Sequence, residues 1–421
     1  MTVSPSTQQS MTLPAQVDVL IIGGGMVGAS LAAMLPEHMS ILLVERFALP
    51  AQQQDNAKVY QPSFDARSSA LSHSSFNIFT DMGLWPRLAE NIQTINKVHV
   101  SDRGRWGSTL MEALPQSADA LGYVIENAWL GRCLMDVIQE KPNVTFASPA
   151  AVTSLCPQAG SVKVGIQCGD NAANGQGTEI QVETHLAVVA DGAQSQTCQR
   201  LGIAHALTDY GHSAIVANVS SAKAHQGIAY ERFTDQGPLA LLPLKSEAQT
   251  TRSALIWTMP TALADSMMAQ SDEDFLAALQ QRFGHRQGAF TKVGKRVSYP
   301  LKLSRSQEQV RQNIVVLGNA AHSLHPVAGQ GFNLALRDVK VLCDVLANSD
   351  TPLGDLSTLM AYQQAQQQDQ QLTTVFSDVL PNLFSRRHPL LAAGRGVGLL
   401  ALELMPYVKS TFIDFATGLR R

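Results

Sequence analysis

Apolar positions along this chain follow two periods, and the change from one to the other divides it. Short unbroken apolar runs, which mark strands buried on both faces, stand at Val17–Ile22 (VDVLII), Ile41–Val44 (ILLV), His185–Ala190 (HLAVVA) and Asn313–Leu317 (NIVVL). The first and the last break into glycines and pass into helical spacing, at Ala29–Leu35 and beyond Gly318. From about Tyr210 to Ser298 the pattern becomes the alternation of half-buried strands, at Ala214–Val219, Ile228–Phe233, Leu239–Leu244 and Ala254–Met259. Within that stretch Phe275, Leu276, Leu279 and Phe283 keep helical spacing and predict a helix over Asp272–Phe283.

Between these landmarks, Ala51–Gln61 reads as a polar loop and Asp65–Leu71 as the lead into a helix that stops at Asp81–Trp85. Thr94–Ser101 reads as one strand, and Leu121–Asn127 as a turn into a helix beginning near Leu130. Val144–Ser154 and Val162–Gln167 predict strands around a hairpin tip at Gly169–Gly177. The chain beyond Thr351 is helical in character. Its Gln-rich part, Tyr362–Gln371, reads as a solvated helix face; Arg395–Arg421 is apolar, ends in Arg420 and Arg421, and is broken or kinked by Pro406. The expected organisation is a disordered leader (1–14), a discontinuous α/β domain (15–100, 121–205 and 299–350), an inserted antiparallel sheet domain (101–120 and 206–298) and a helical C-terminal region (351–421).

The glycines after the first strand spell G-x-G-x-x-G from Gly23 to Gly28, and the second strand ends in Glu45, about 20 residues past the first glycine. In a dinucleotide fingerprint Gly23 permits the tight turn, Gly25 lets a pyrophosphate approach bare backbone, and Gly28 lets helix and strand pack closely. Glu45 takes ribose hydroxyls. A second such device lies in Gly318–Asp338 (GNAAHSLHPVAGQGFNLALRD), where a buried strand again gives way to glycines at a helix start. Bare N–H groups at a helix start make a seat for an anion or a cofactor.

Composition narrows the partners. A formal net charge of −3 gives no reason to expect nucleic acid. Cys133, Cys156, Cys168, Cys198 and Cys343 are scattered without C-x-x-C or His spacing, which argues against a zinc site or a disulfide framework and fits a reducing cytoplasm. No metal site is expected. Met1–Pro14 lacks a basic region followed by an apolar core, so it reads as a leader rather than a signal peptide, and no run reaches the roughly 20 apolar residues of a membrane span.

Four motifs now stand in order: G-x-G-x-x-G with Glu45, Asp65-x-Arg67, Ala190-Asp191-Gly192, and Gly318-Asn319-Ala320-Ala321-His322 continuing to Gly329-Gln330-Gly331-x-Asn333. In this order the chain, over roughly 15–421, resembles the flavoprotein aromatic hydroxylases, the group that includes p-hydroxybenzoate hydroxylase. Glu231-Arg232-Phe233-Thr234 with Gly237-Pro238, Leu242-Pro243-Leu244, and Gly394-Arg395-x-x-Gly398-Leu399 extend the match to the ubiquinone-biosynthesis hydroxylases. The wording of the run from Gly318 is most similar to the branch that hydroxylates 2-octaprenyl-6-methoxyphenol.

The resemblance implies an α/β (α+β) fold of the p-hydroxybenzoate hydroxylase type, with a Rossmann-like FAD-binding domain and an inserted antiparallel substrate sheet. It implies non-covalent FAD, NADH or NADPH as reductant, and transfer of an oxygen atom from a flavin C4a-hydroperoxide, made with O₂, to a polyprenylated phenol. A sister ring hydroxylase of different regiospecificity and a non-catalytic flavin-binding subunit are the alternatives. Gly23, Gly25, Gly28, Glu45 and Arg46 fall at the nucleotide, Arg67 toward the flavin, and Arg132 at the pyrophosphate, where a guanidinium suits phosphate oxygens. Asp191 approaches FAD and the reductant path, Gly318 and Asn319 the ribityl chain, and Gly329, Gln330, Gly331 and Asn333 the isoalloxazine edge and the phosphates. Asn319 stands where the wider family has aspartate, and its amide oxygen still accepts a hydroxyl proton. Asn127, His325 and Pro326 are substrate-side candidates, whereas His322 reads as a packing residue at the helix start, and Cys198 has no role. Expected partners are the prenyl phenol, O₂ and other ubiquinone-biosynthesis proteins, with the C-terminal region as a candidate peripheral contact with the inner membrane.

Overall fold

Two sheets carry the structure, and each realises one of the two hydrophobic periods. The computed structural model describes residues 13–48, 67–103, 108–112, 120–169, 178–247, 250–324 and 330–385. Its first half contains β1 (Gln16–Ile22), α1 (Met26–Met34), β2 (Ile41–Val44), β3 (Ser68–Leu71), α2 (His73–Asp81), α3 (Trp85–Ala89), β4 (Ile92–Ile95), β5 (Lys97–Asp102), β6 (Ser108–Glu112), β7 (Gly122–Glu126), α4 (Asn127–Glu140), β8 (Val144–Ala147), β9 (Ala150–Pro157), β10 (Val162–Cys168) and β11 (Thr178–Val189). The second half contains α5 (Gln196–Arg200), β12 (His205–Ser221), β13 (Ile228–Thr234), β14 (Gly237–Glu247), β15 (Thr250–Pro260), α6 (Thr261–Met268), α7 (Asp272–Phe283), β16 (Phe290–Val293), β17 (Val297–Ser306), β18 (Val310–Arg311), β19 (Ile314–Val316), β20 (His322–Ser323), α8 (Gln330–Ala347) and α9 (Leu356–Ser385).

The unbroken apolar runs become the parallel centre of the first sheet, ordered β18-β19-β11-β1-β2-β8, with β10 and β9 continuing from β11. Both faces are covered, which is why these strands do not alternate. On one face Val19, Ile21, Leu43, Val188 and Val315 pack with Leu31, Leu134, Leu342 and Tyr362 from α1, α4, α8 and α9. On the other, Leu20, Ile22, Leu42 and Val189 pack with Val164, Cys198 and Ile203. Cys198 is core, and its N–H is bonded to Ser195 Oγ at the start of α5.

The alternating stretch forms the second sheet, ordered β20-β17-β12-β15-β14-β13-β5-β6, with β16 beside β12. Alternate residues Ile215, Ala217, Val219, Leu239, Leu241, Leu255, Trp257 and Met259 pack under α6 and α7 against Phe275, Leu279 and Phe283. The helix over Asp272–Phe283 forms as expected, with Ser271 Oγ accepting from the Asp274 N–H at its start. A small antiparallel sheet, β3-β7-β4, packs Val124 and Ile95 onto Ala229, Leu244 and Ala254 of the second sheet.

Several expectations are corrected. Asp65–Leu71 does lead into α2, which ends at Asp81, but its Ser68–Leu71 forms a strand, β3, that pairs with β7. Thr94–Ser101 is two strands serving different sheets, because Asn96 breaks the run and its N–H bonds the Gly227 carbonyl. Helix α4 begins at Asn127, three residues before Leu130. Residues 299–306 belong to the second sheet, since β17 pairs with β12 from Ser306 to Val297. The Gln-rich segment is a solvated face only in part: Gln364, Gln367, Gln368 and Gln371 are exposed, while Tyr362, Gln366, Gln370, Thr373 and Ser377 form a buried stripe at helical spacing. Gln366 Nε2 donates to the Arg337 carbonyl, Gln370 Nε2 to Asp338 Oδ1, and Arg337 grips Asp369 through two nitrogens at 2.7 and 3.1 Å. Glutamine is buried there because α8 offers it partners. Ala51–Gln61, all but Gly169 of the hairpin tip, and Arg395–Arg421 lie outside the described residues.

Candidate active site

Parallel pairing sets the ends of four strands in one register row: Val316 pairs with Val189, Val189 with Ile22, and Ile22 with Val44. The residues that follow are Leu317-Gly318, Ala190-Asp191, Gly23 and Glu45. Segments scattered over three hundred positions of sequence therefore meet at the carboxyl end of one sheet, where open α/β sheets bind ligands.

The glycines there have different reasons. Gly23 has φ +107, and a Cβ on it would lie 2.5 Å from the Ala190 carbonyl oxygen. A Cβ on Gly28 would lie 1.9 Å from the Gly23 oxygen, so the turn and α1 close on one another only through glycine. Gly25 caps α1 in an extended conformation. Gly318, at φ +60, packs on Val27 of α1, which joins the second glycine motif to the first. Gly331 differs from all of these: nothing lies within 4 Å of where its Cβ would be. Among the described residues nothing demands a glycine at that helix start, so the space suits a ligand.

Glu45 is buried at the end of β2, where its Oε2 accepts the Gly24 N–H at 2.7 Å and its Oε1 the Phe47 N–H at 3.0 Å. Burial pushes its carboxyl up, and the backbone hydrogen bonds oppose the shift. Arg46 follows it directly. Asp191 Oδ2 accepts the Thr197 N–H at 3.2 Å, while Oδ1 is buried and bonds no group among the described residues. A buried carboxylate oxygen in that state calls for a donor, and a hydroxylated cofactor beside the strand ends supplies one. Asn319 is exposed in the 3-10 turn Gly318–Ala320 between buried neighbours. Gln330, buried, opens α8. This set of groups fits FAD.

Arg67 stacks its guanidinium on Tyr299 at 5.0 Å, and its carbonyl accepts the Asn127 N–H at 2.9 Å. Asn127 is buried, and its Oδ1 accepts from Ser69 Oγ at 2.8 Å. Two expectations change. Asn333 is a brace: its Oδ1 accepts from the Ser72 N–H and Ser75 Oγ at 2.9 and 2.6 Å, and its Nδ2 donates to the Ala70 carbonyl, so its amide locks β3 and α2 to α8. Arg132 lies 5.7 Å over Trp129 and lines a cavity with Arg87, Glu90, Cys133 and Asp136 between α3 and α4. That cavity includes no residue of either glycine motif, and the pyrophosphate role gains no support. His325, Pro326 and Gly329 lie outside the described residues. His322 is a packing residue, as expected, buried and bonded through Nε2 to Asp338.

Sequence reasoning missed Tyr299, the Arg252–Glu126 ion pair at 2.8 Å, and the surroundings of Glu231. All three depend on which strand pairs with which, and no local pattern carries that.

Residues 16–376 match the family described as the FAD binding domain. The chain is 32% identical over 405 residues to a ubiquinone hydroxylase, UbiL, of Rhodospirillum rubrum, covering 95% of this chain and 89% of the relative. It is 27% identical to the 3-demethoxyubiquinol 3-hydroxylase of Escherichia coli, covering 96% and 98%. Among solved structures, p-nitrophenol 4-monooxygenase PnpA from Pseudomonas putida shares the fold with a TM-score of 0.75 at 14% identity over 97% of this chain and all of that one. PqsL from Pseudomonas aeruginosa does so with a TM-score of 0.72 at 20% identity over 91% and 99%.

Proposed function

We propose a particular reaction for this chain, which belongs to the FAD-dependent monooxygenases of the ubiquinone hydroxylase type: hydroxylation of a polyprenylated phenol, with 2-octaprenyl-6-methoxyphenol as the leading substrate. The observation that carries the reading is the single register row that gathers the two glycine motifs, Glu45 and Asp191 at one sheet end. FAD, when bound, supplies the chemistry that joins a nicotinamide reductant to O₂ and delivers one oxygen atom.

The protein's own part is to hold, orient and dry. The Gly23–Gly28 turn presents bare N–H groups to the pyrophosphate, Glu45 accepts from ribose hydroxyls, and Asp191 Oδ1 takes a hydroxyl proton of the cofactor. Asn319 accepts from the ribityl chain, and Gly331 admits the ring edge beside the α8 N-terminus. Arg67, clamped on Tyr299, fixes the corner between the cofactor domain and the second sheet. The sheet face below that corner receives the phenol, and its aliphatic side chains exclude water from the reacting ring.

The test is product analysis with the yellow holoenzyme and a panel of synthetic prenyl phenols that differ in chain length and ring substitution. NADH or NADPH oxidation should rise with a phenol and yield a ring-hydroxylated product, and acid should release all flavin into the supernatant. Reductant consumption that no phenol stimulates would overturn the reading. Docking to a membrane or to other ubiquinone-biosynthesis proteins through the C-terminal region is part of the proposal, and among the described residues no helix is long and apolar enough to cross a membrane.

A further inference from the structure

We propose that Glu231 receives the phenolic hydroxyl of the substrate, as hydrogen-bond acceptor and as proton acceptor during oxygen transfer. The proposal rests on the phenol hydroxylation argued above and assigns the group that handles the ring oxygen.

The second sheet has two unlike faces. Tyr230 and Arg232 of β13 turn toward α7, where the Tyr230 ring meets Phe283 and Arg232 Nε donates to the Arg282 carbonyl. Ala229 and Glu231 therefore turn the other way. Strand register fixes what lies beside Glu231 on that face: Val100 on β5, then Ala240, Ile256, Val216 and Val297 on β14, β15, β12 and β17. Every residue of this row is only half-buried, whereas the opposite face is sealed by helices. The next row on one side, with Ala229, Leu242 and Ala254, lies under β4 and β7. The row on the other side ends at Tyr299, which carries Arg67. Among the described residues Glu231 is thus the only ionisable group in this half-buried row of an apolar floor that runs to the cofactor corner, and α9 packs beside β13 and β14.

Among the described residues no cation or hydrogen-bond donor contacts Glu231. The charged groups on its face are Asp102, one row away on β5, the Arg252–Glu126 pair beyond the covered row, and Arg67 above Tyr299. His99 and Arg232 lie on the opposite face, where the His99 ring meets Tyr230. Enclosure by apolar neighbours pushes the carboxyl up to about 7. A carboxylate left without a partner in such a row costs stability, and a phenol supplies the missing donor. At neutral pH the group is poised for proton transfer.

The chemistry balances without a further reagent. The nicotinamide reductant supplies the two electrons that cleave the O–O bond of O₂, whose second atom leaves as water. As the first, electrophilic atom bonds the ring carbon as a hydroxyl, the phenolic O–H bond breaks and its proton passes to Glu231. The electron pair left on the oxygen drives the attack and forms a carbonyl. The ring carbon then loses its hydrogen as a proton to water, and Glu231 returns its proton to the carbonyl oxygen, which restores the aromatic ring and leaves two hydroxyls.

The test compares wild-type holoenzyme with Glu231→Gln and Glu231→Leu, the second an apolar replacement that suits this row if the amide disturbs folding. FAD content and phenol-independent reductant oxidation should be unchanged, while kcat/KM for hydroxylated product falls by about 100-fold or more. The rise of kcat/KM with pH near neutrality should disappear, and the methyl ether of the substrate, which has no proton to give, should bind wild type and variants alike. Wild-type rates and pH profile in both variants would overturn the role of Glu231 alone. Failure of the wild type to hydroxylate any phenol would overturn the phenol reading and this role with it.

Discussion

His322 Nε2 and Asp338 Oδ2 lie 2.6 Å apart, both buried, and the other oxygen of Asp338 accepts from Gln370 at 3.0 Å. Gln370 in turn accepts from Gln309 Nε2. One carboxylate thus ties the glycine motif that begins at Gly318 to α8, to α9 and to the strand before β19. Asp338→Ala should leave His322 and Gln370 buried without their acceptor and cost about 3 to 5 kcal/mol. A thermal melt should show the loss, with weakened FAD retention because β20 and α8 both belong to the second glycine motif proposed for the cofactor. An unchanged melting temperature would show that the network is dispensable.

The glycines separate packing from ligand binding. Gly28→Ala forces a Cβ against the Gly23 oxygen and should destabilise the apoprotein as well as abolish FAD binding. Gly331→Ala meets no neighbouring atom of the described residues, lies at the start of α8, and should leave the apoprotein as stable as wild type or slightly more so. Its FAD affinity should nonetheless drop, by about 10-fold or more if a methyl excludes the ring edge. Fluorescence titration of apoprotein with FAD checks both, and full affinity in Gly331→Ala would remove that helix start from the site.

Arg132→Ala tests the pyrophosphate role of this arginine. With the guanidinium over Trp129 in the cavity between α3 and α4, FAD content should remain at the wild-type level. Flavin-free protein that still melts like wild type would restore the pyrophosphate role.

Stability should also depend on pH through Glu231. Its carboxyl holds a proton more tightly folded, at about 7, than at its ordinary value of 4.5, so its contribution is complete below 4.5 and is lost as pH rises through 7. Glu45, also pushed up by burial, acts in the same direction. Between pH 5 and pH 8 wild type should lose up to about 3 kcal/mol relative to Glu231→Gln. Chemical denaturation at the two pH values measures the difference, and parallel behaviour of the two proteins would refute it.

Sequence alone determined the strands Ile41–Val44 and Ile314–Val316 as buried runs, the helix over Asp272–Phe283, and the glycine motifs. Those features are local: period and glycine spacing depend on neighbours a few residues away. Tertiary structure decided the rest. That Asn333 spends its amide on Ser72, Ser75 and Ala70, and that Gln366 and Gln370 of α9 are buried, depends on partners 29 to 263 residues distant. That Glu231 stands alone in an apolar row depends on the register of six strands, and a shift of one residue in β13 would turn it toward α7. Burial and the charge state it imposes belong to the pairing of strands, which the order of residues along the chain specifies only through the whole fold.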